Sequence, residues 1–225
     1  MTTALITGAS RGLGREIAIL LAKRGYRLVL NARGEEPLRE LARSLDTEVH
    51  VVAADVSEDA ERIAGEALAR FGTIAVLINN ASDLGPTPMP LLENYPWDEL
   101  LRVYRINVVA PIHLTQLLLP QMKSRRSGVI VNITSDAGVN AYPGWGGYGS
   151  SKAALEHASR TFAAELEGSG VRVLVVDPGD MDTAMHRAAT PDADFSTMAK
   201  PDAVAPVIVD LLDRGDPFAR IEVAA

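Results

Sequence analysis

The 225-residue chain carries 22 basic and 29 acidic side chains, a formal net charge of −7, and 47% hydrophobic residues, enough for one large core in a single α/β unit. That charge repels polyanions, so neither nucleic acid nor a membrane is an expected partner. With no cysteine there is no disulfide, thiolate nucleophile or cysteine-held metal, and with no basic, apolar leader and no apolar run near ~20 residues the expectation is a soluble, cytoplasmic protein without a metal site.

Short β-rich runs alternate with segments of helical period, which predicts a Rossmann-like, doubly wound parallel sheet of seven strands with helices on both faces, in one domain over residues 1–225. Ala4–Thr7 is the first strand, and the helix after it sets Ile17, Leu20 and Leu21 on one face before stopping at Gly25. Arg27–Asn31 and Glu48–Ala54 are the next two strands, separated by a charged helix over Glu36–Leu45. Ser57 is the expected N-cap of the helix leading to the fourth strand, Ile74–Asn80. A long helix from Trp97 to about Met122, bent near Pro111, precedes the fifth strand, Gly128–Thr134. A second long helix, Tyr148 to about Leu166, leads to the sixth, Val171–Asp177, and Ala219–Ala224 reads as the seventh. The fifth and sixth are nearly continuous apolar runs, as strands buried on both faces require. Asp180–Lys200 has little periodicity and follows a strand's carboxyl end, so it is expected to be a mobile loop at the ligand site.

Between the first strand and its helix lies TGASRGLG, Thr7–Gly14. Gly8, Gly12 and Gly14 allow a tight turn whose N–H groups, at a helix amino end, suit a pyrophosphate, making Gly8, Ser10, Arg11, Gly12, Leu13 and Gly14 candidate cofactor contacts. The spacing is not the common G-x-G-x-x-G, and with no Gly-Lys-Ser/Thr after it the turn is not a P-loop. The second strand ends in NARG, with no carboxylate for the ribose 2′-hydroxyl of NAD. Arg33, with Arg11 beside it, instead suits a 2′-phosphate, so NADP(H) is expected in preference to NAD(H).

Tyr148 and Lys152 stand four apart at the start of a helix and therefore share a face. A phenol titrates near ~10 in water, and an adjacent ammonium is expected to bring it closer to neutrality by ~1–3 units, so that it can exchange a proton with a substrate oxygen. Ser135, at the end of the fifth strand, can hydrogen-bond that oxygen as charge develops.

Taken together, TGASRGLG, NNA, an asparagine in the helix after the fourth strand, Ser135, YGSSK and PG resemble the short-chain dehydrogenase/reductase family, in its compact single-domain branch, over nearly the whole chain. The resemblance implies that Tyr148 is the general acid/base, Ser135 its oxyanion partner, and Lys152 a ligand of the nicotinamide ribose. It implies that Asn107 holds a water of the proton relay, that Asp55 and Val56 contact adenine, that Asn79 and Ala81 line the cofactor, and that Pro178, Gly179 and Thr183 meet the nicotinamide carboxamide. Two departures stand out. Ser82 replaces the glycine of the family's NNAG, which puts a side chain where backbone approaches the cofactor, and the chain stops just after the seventh strand, which implies an open pocket.

The expected activity is NADPH-dependent reduction of a small carbonyl compound, reversible as alcohol oxidation. An epimerase or dehydratase of nucleotide sugars is disfavoured by the glycine spacing and the missing C-terminal substrate domain. An NADP-sensing regulator is disfavoured because tyrosine and lysine are both present. Leu84, Pro86, Tyr142, Trp145, Met181 and Met185 are the expected walls of an apolar pocket, with Asp180 and Asp182 disfavouring anionic substrates. The resemblance also implies pairing through the two long helices. Ala153, Ala154, Ala158 and Phe162 on one, and Leu114, Leu117 and Leu118 on the other, serve an interface or the core equally well, leaving homodimer and homotetramer open.

Overall fold

The computed structural model describes residues 1–223. Seven parallel strands, β1 (Thr3–Thr7), β2 (Arg27–Ala32), β3 (Val49–Ala53), β4 (Val76–Asn79), β5 (Gly128–Ile133), β6 (Val171–Asp177) and β7 (Phe218–Glu222), form one sheet in the order β3-β2-β1-β4-β5-β6-β7. The order reverses between β1 and β4, and ligands of open α/β sheets bind in the crevice at the carboxyl ends of strands at such a point.

Alternation along β1 assigns the two faces. Ala4 and Ile6 join a cluster with α1 (Gly12–Lys23), α2 (Glu35–Arg43) and α8 (Pro201–Leu211). Leu5 points the other way, to α3 (Ala60–Phe71), α5 (Ala110–Ser124) and the far end of α6 (Gly146–Glu165). Leu5, Ile6, Leu28, Leu30, Leu77 and Ile78 are fully buried, each side chain contributing roughly 1.5–3 kcal/mol. The sheet is thereby a rigid platform for the loops at its carboxyl edge.

Several expected boundaries shift for local reasons. Ser57 does not cap α3: its N–H and hydroxyl both donate to Asp55 Oδ1, at 2.9 and 2.6 Å, and the helix starts at Ala60 after Asp59. The long helix after β4 is two helices, α4 (Trp97–Tyr104) and α5, joined by a π-helical turn over Arg105–Val109, so the irregularity precedes Pro111. Pro111 has no N–H for the Asn107 carbonyl one turn earlier and its ring would crowd that oxygen, which the wider turn relieves. Asp180–Lys200 is not structureless, because it contains α7 (Ala184–Ala189) and a 3₁₀ turn over Phe195–Thr197. Its ends are pinned together by a bridge between Met181 and Ala199. Leu114 and Leu118 lie in the core, which removes them from any interface. The described part of the last strand runs from Phe218 to Glu222, and Ala224, included in the expected strand, lies outside the described residues. Among the described residues no helix is long and apolar enough to cross a membrane.

Candidate active site

The glycine turn is anchored from below. Thr7 Oγ1 accepts the N–H groups of Asn80 and Ala81 at 3.1 and 3.0 Å, while Asn80 Nδ2 donates to the carbonyls of Thr7 and Gly8 at 3.0 and 3.2 Å. This closeness explains two glycines: a Cβ on Gly8 would stand 2.8 Å from Asn80 Nδ2, and one on Gly14 would stand 2.5 Å from the Gly8 carbonyl oxygen. Gly12, at φ +55°, turns its open side toward the cleft, where the nearest side-chain atom is 3.9 Å away on Thr183. The amino end of α1 has neither a side-chain cap nor an acidic residue in its first turn, so its N–H groups remain free for an anion.

A cleft of about 800 Å³ opens above this turn. Gly8, Ser10, Arg11, Gly12 and Leu13 of the turn line it, with Arg33, Asp55 and Val56 after β2 and β3. Ala81, Ser135, Tyr148 and Lys152 line it as well, as do Pro178, Gly179 and Thr183 after β6. Burial raises the Asp55 carboxyl, but hydrogen bonds from Ser57 and the charge of Arg33 more than offset this and hold it below its usual range. Neither Arg11 nor Arg33 has a carboxylate within ion-pair distance among the described residues, and both border the cleft.

Three expected contacts are not on the wall. Gly14 is buried behind Gly8, where it lets the turn close. Asn79 is 3% exposed and points into the sheet, donating to Asn132 Oδ1 at 2.8 Å; its neighbour Asn80 is the one that borders the cleft. Successive strand side chains face opposite ways, and burial of Asn79 against β5 decided which. Asn107 is also buried, and its side-chain amide is fully used. Oδ1 accepts from Ser82 Oγ and the Asp83 N–H, and Nδ2 donates to the Asp83 carbonyl and Ser151 Oγ, leaving no side-chain position for a water.

At the centre, the Lys152 ammonium lies 5.4 Å from the Tyr148 ring centroid and donates to the Ile133 carbonyl at 2.8 Å. Both side chains are buried. Here the electrostatic expectation reverses. Burial, with the carboxylates of Asp177 and Asp136, pushes the Tyr148 phenol up to about 12, against the lowering influence of the neighbouring Ser82 and Ser135 hydroxyls. Lys152 is itself pushed down to about 8 by burial, which the charge of Asp177 opposes. Desolvation of a phenolate is the largest influence, so the protein's own groups hold Tyr148 protonated at neutral pH. Ser135 Oγ accepts the Ala137 N–H at 3.2 Å and donates to Asp136 Oδ1 at 3.0 Å. Two carboxylates that residue spacing did not single out also stand here: Asp136, three residues beyond β5, and Asp177, the last residue of β6.

The substrate side is apolar in part. Leu84, Trp145, Met181 and Met185 border the cleft, and Trp145 stands edge-on to Tyr148 with centroids 5.9 Å apart. Two expected walls do not: Pro86 lies away from the cleft, and Tyr142 is exposed, its hydroxyl donating to Asp136 Oδ2 at 2.7 Å.

A parallel sheet with a phosphate-ready turn at its switch point, beside buried Tyr148 and Lys152 and half-buried Ser135, defines a nucleotide-dependent oxidoreductase. The family model for short chain dehydrogenase matches residues 2–194. The chain is 32% identical over 196 residues to the 3-oxoacyl-[acyl-carrier-protein] reductase FabG of Staphylococcus epidermidis, covering 84% of this chain and 79% of that one. It is 34% identical over 195 residues to the 7alpha-hydroxysteroid dehydrogenase of Escherichia coli, covering 84% and 75%. The alcohol dehydrogenase of the archaeon Thermococcus sibiricus, solved with 5-hydroxy-NADP, superposes with a TM-score of 0.86 at 30% identity, over 99% of this chain and 96% of that one. The chain therefore belongs to the short-chain dehydrogenase/reductase family, and its general activity is oxidoreduction with a nicotinamide cofactor.

Proposed function

We propose that the protein is an NADPH-dependent reductase of small, apolar ketones or aldehydes, running in reverse as an alcohol dehydrogenase. The observation that carries this reading is the position of Tyr148, buried where the cofactor and substrate walls meet, with Ser135 and Lys152 beside it. A bound nicotinamide dinucleotide supplies the hydride. Tyr148, held protonated, donates its phenolic proton to the carbonyl oxygen as that oxygen gains charge. Ser135 turns from Asp136 to donate a second hydrogen bond to the same oxygen. Lys152, fixed by the Ile133 carbonyl, lies where it can hold the ribose, and its positive charge favours the phenolate left behind.

Arg11 and Arg33, which border the cleft and form no ion pair among the described residues, support NADP(H) over NAD(H). Leu84, Trp145, Met181 and Met185 support an apolar substrate, and the carboxylates of Asp136, Asp177, Asp180 and Asp182 on the same walls disfavour an anionic one. We read the protein further as a cytoplasmic homodimer or homotetramer: Trp97, 70% exposed, and Leu101 present an apolar face on α4 that a second copy would cover, and light scattering measures the assembly.

A panel of ketones and aldehydes assayed with NADPH and with NADH tests the function. Turnover is expected with NADPH at a Michaelis constant at least tenfold below that for NADH. Tyr148→Phe should lose ~10²–10⁴-fold in rate while retaining NADPH affinity by fluorescence titration. Retained turnover in that variant would remove the acid from the mechanism.

A further inference from the structure

Ser82, standing where the family has glycine, adds a hydroxyl to the reaction centre. It borders the same cleft as Tyr148 and Ser135. Its Oγ donates to Asn107 Oδ1 at 3.1 Å, an oxygen that also accepts the Asp83 N–H at 2.8 Å. Asn107 Nδ2 donates to Ser151 Oγ at 2.9 Å, and Ser151 Oγ donates to the Tyr148 backbone carbonyl at 2.6 Å. This network ties the loop after β4 to the turn of α6 that carries the tyrosine.

An amide oxygen only accepts, so no proton passes through Asn107, and Ser82 cannot be a link in a relay. It can, however, change partner. When the serine turns away, Asn107 Oδ1 keeps the Asp83 N–H, so no buried acceptor is left empty. A hydrogen bond to a phenolate is charge-assisted and stronger than the neutral one given up. We propose that Ser82 is a positioning residue whose hydroxyl rests on Asn107 while Tyr148 is protonated and turns to donate to the phenolate once the proton has left. The proposal rests on the reading of Tyr148 as the acid/base.

The electrostatics agree: of the neighbours that favour the Tyr148 anion, Ser82 acts more strongly than Ser135. The other titratable groups bordering the same cleft are Lys152 on α6, Asp136 after β5, Asp177 on β6, Asp83 after β4 in an ion pair with Arg102, Asp180 and Asp182 after β6, His186 on α7, and Arg11, Arg33 and Asp55 along the glycine turn and the ends of β2 and β3. A substitution at Ser82 removes none of them.

The pH dependence of kcat/KM for alcohol oxidation with NADP⁺ tests the proposal, using the fastest alcohol from a panel of apolar secondary alcohols. Oxidation needs the phenolate, and the positive charge of bound NADP⁺ would draw the phenol's midpoint down from its value in the protein alone, so the rate rises with pH through that midpoint. Losing a donor to the anion raises that midpoint. Ser82→Ala and Ser82→Gly should move it up by about one pH unit, and so run about tenfold slower at a fixed pH below it. Ser82→Thr, which keeps the hydroxyl, should stay with wild type. A midpoint unmoved or lowered in the alanine and glycine variants overturns the proposal, as does a rise shared by threonine. Absence of oxidation of any alcohol by wild type, or turnover retained in Tyr148→Phe, sinks the functional reading and the role of Ser82 with it. A dead Tyr148→Phe beside an unmoved Ser82→Ala midpoint sinks the serine alone.

Discussion

The wall of the cleft around the glycine turn and the wall formed by Asp180–Lys200 differ in what holds them. The first is backbone locked by the side chains of buried Thr7 and half-buried Asn80, which between them make five hydrogen bonds joining the ends of β1 and β4. The second rests on a six-residue helix, one bridge and half-buried methionines, with ion pairs such as Arg187–Asp182 at its surface. A dinucleotide must meet the same N–H groups in every turnover, which rewards rigidity. A substrate wall of flexible, apolar side chains can be reshaped without disturbing the sheet.

The sharpest way to break this contrast is at the adenine end. Replacing Arg11 and Arg33 together by alanine should raise the Michaelis constant for NADPH by roughly 10–100-fold, since charge-assisted bonds contribute roughly 1.5–3 kcal/mol, and leave that for NADH within about threefold. Equal losses with both cofactors would mean that neither arginine reads the 2′-phosphate. A smaller effect is expected beneath the turn. Thr7→Val keeps the shape but leaves the N–H groups of Asn80 and Ala81 without their acceptor, so unfolding free energy should fall by about 2 kcal/mol in chemical denaturation. Smallest of all, Met185→Ala should weaken binding of an apolar carbonyl by about fivefold, roughly 1 kcal/mol of lost apolar contact, with stability changed by less than about 1 kcal/mol. If its melting temperature dropped as far as that of Thr7→Val, the two walls would not differ as described.

Legibility followed the same division. The glycine turn, the apolar runs of β5 and β6 and the Tyr148–Lys152 spacing could be read because each depends on neighbours in the chain. Asn79 against Asn80 could not, since which one faces the cleft depends on how β4 packs against Asn132 of β5, more than fifty positions away. Nor could the true partner of Ser57, or the π-helical turn that spares the Asn107 carbonyl from Pro111. Pro86 and Tyr142 do not border the cleft whereas Leu84 and Trp145 do, and since all four lie in loops their apolar character did not fix direction.

What the residues determined unaided was the alternation of strands and helices, the phosphate-ready turn, and which groups were available for proton transfer, all consequences of local period and side-chain chemistry. Folding alone decided the proton affinity of Tyr148. Burial and the carboxylates of Asp136 and Asp177, drawn in from two other strand ends, reversed the effect expected of the nearby ammonium, because desolvation acts on the finished interior and leaves no mark on spacing.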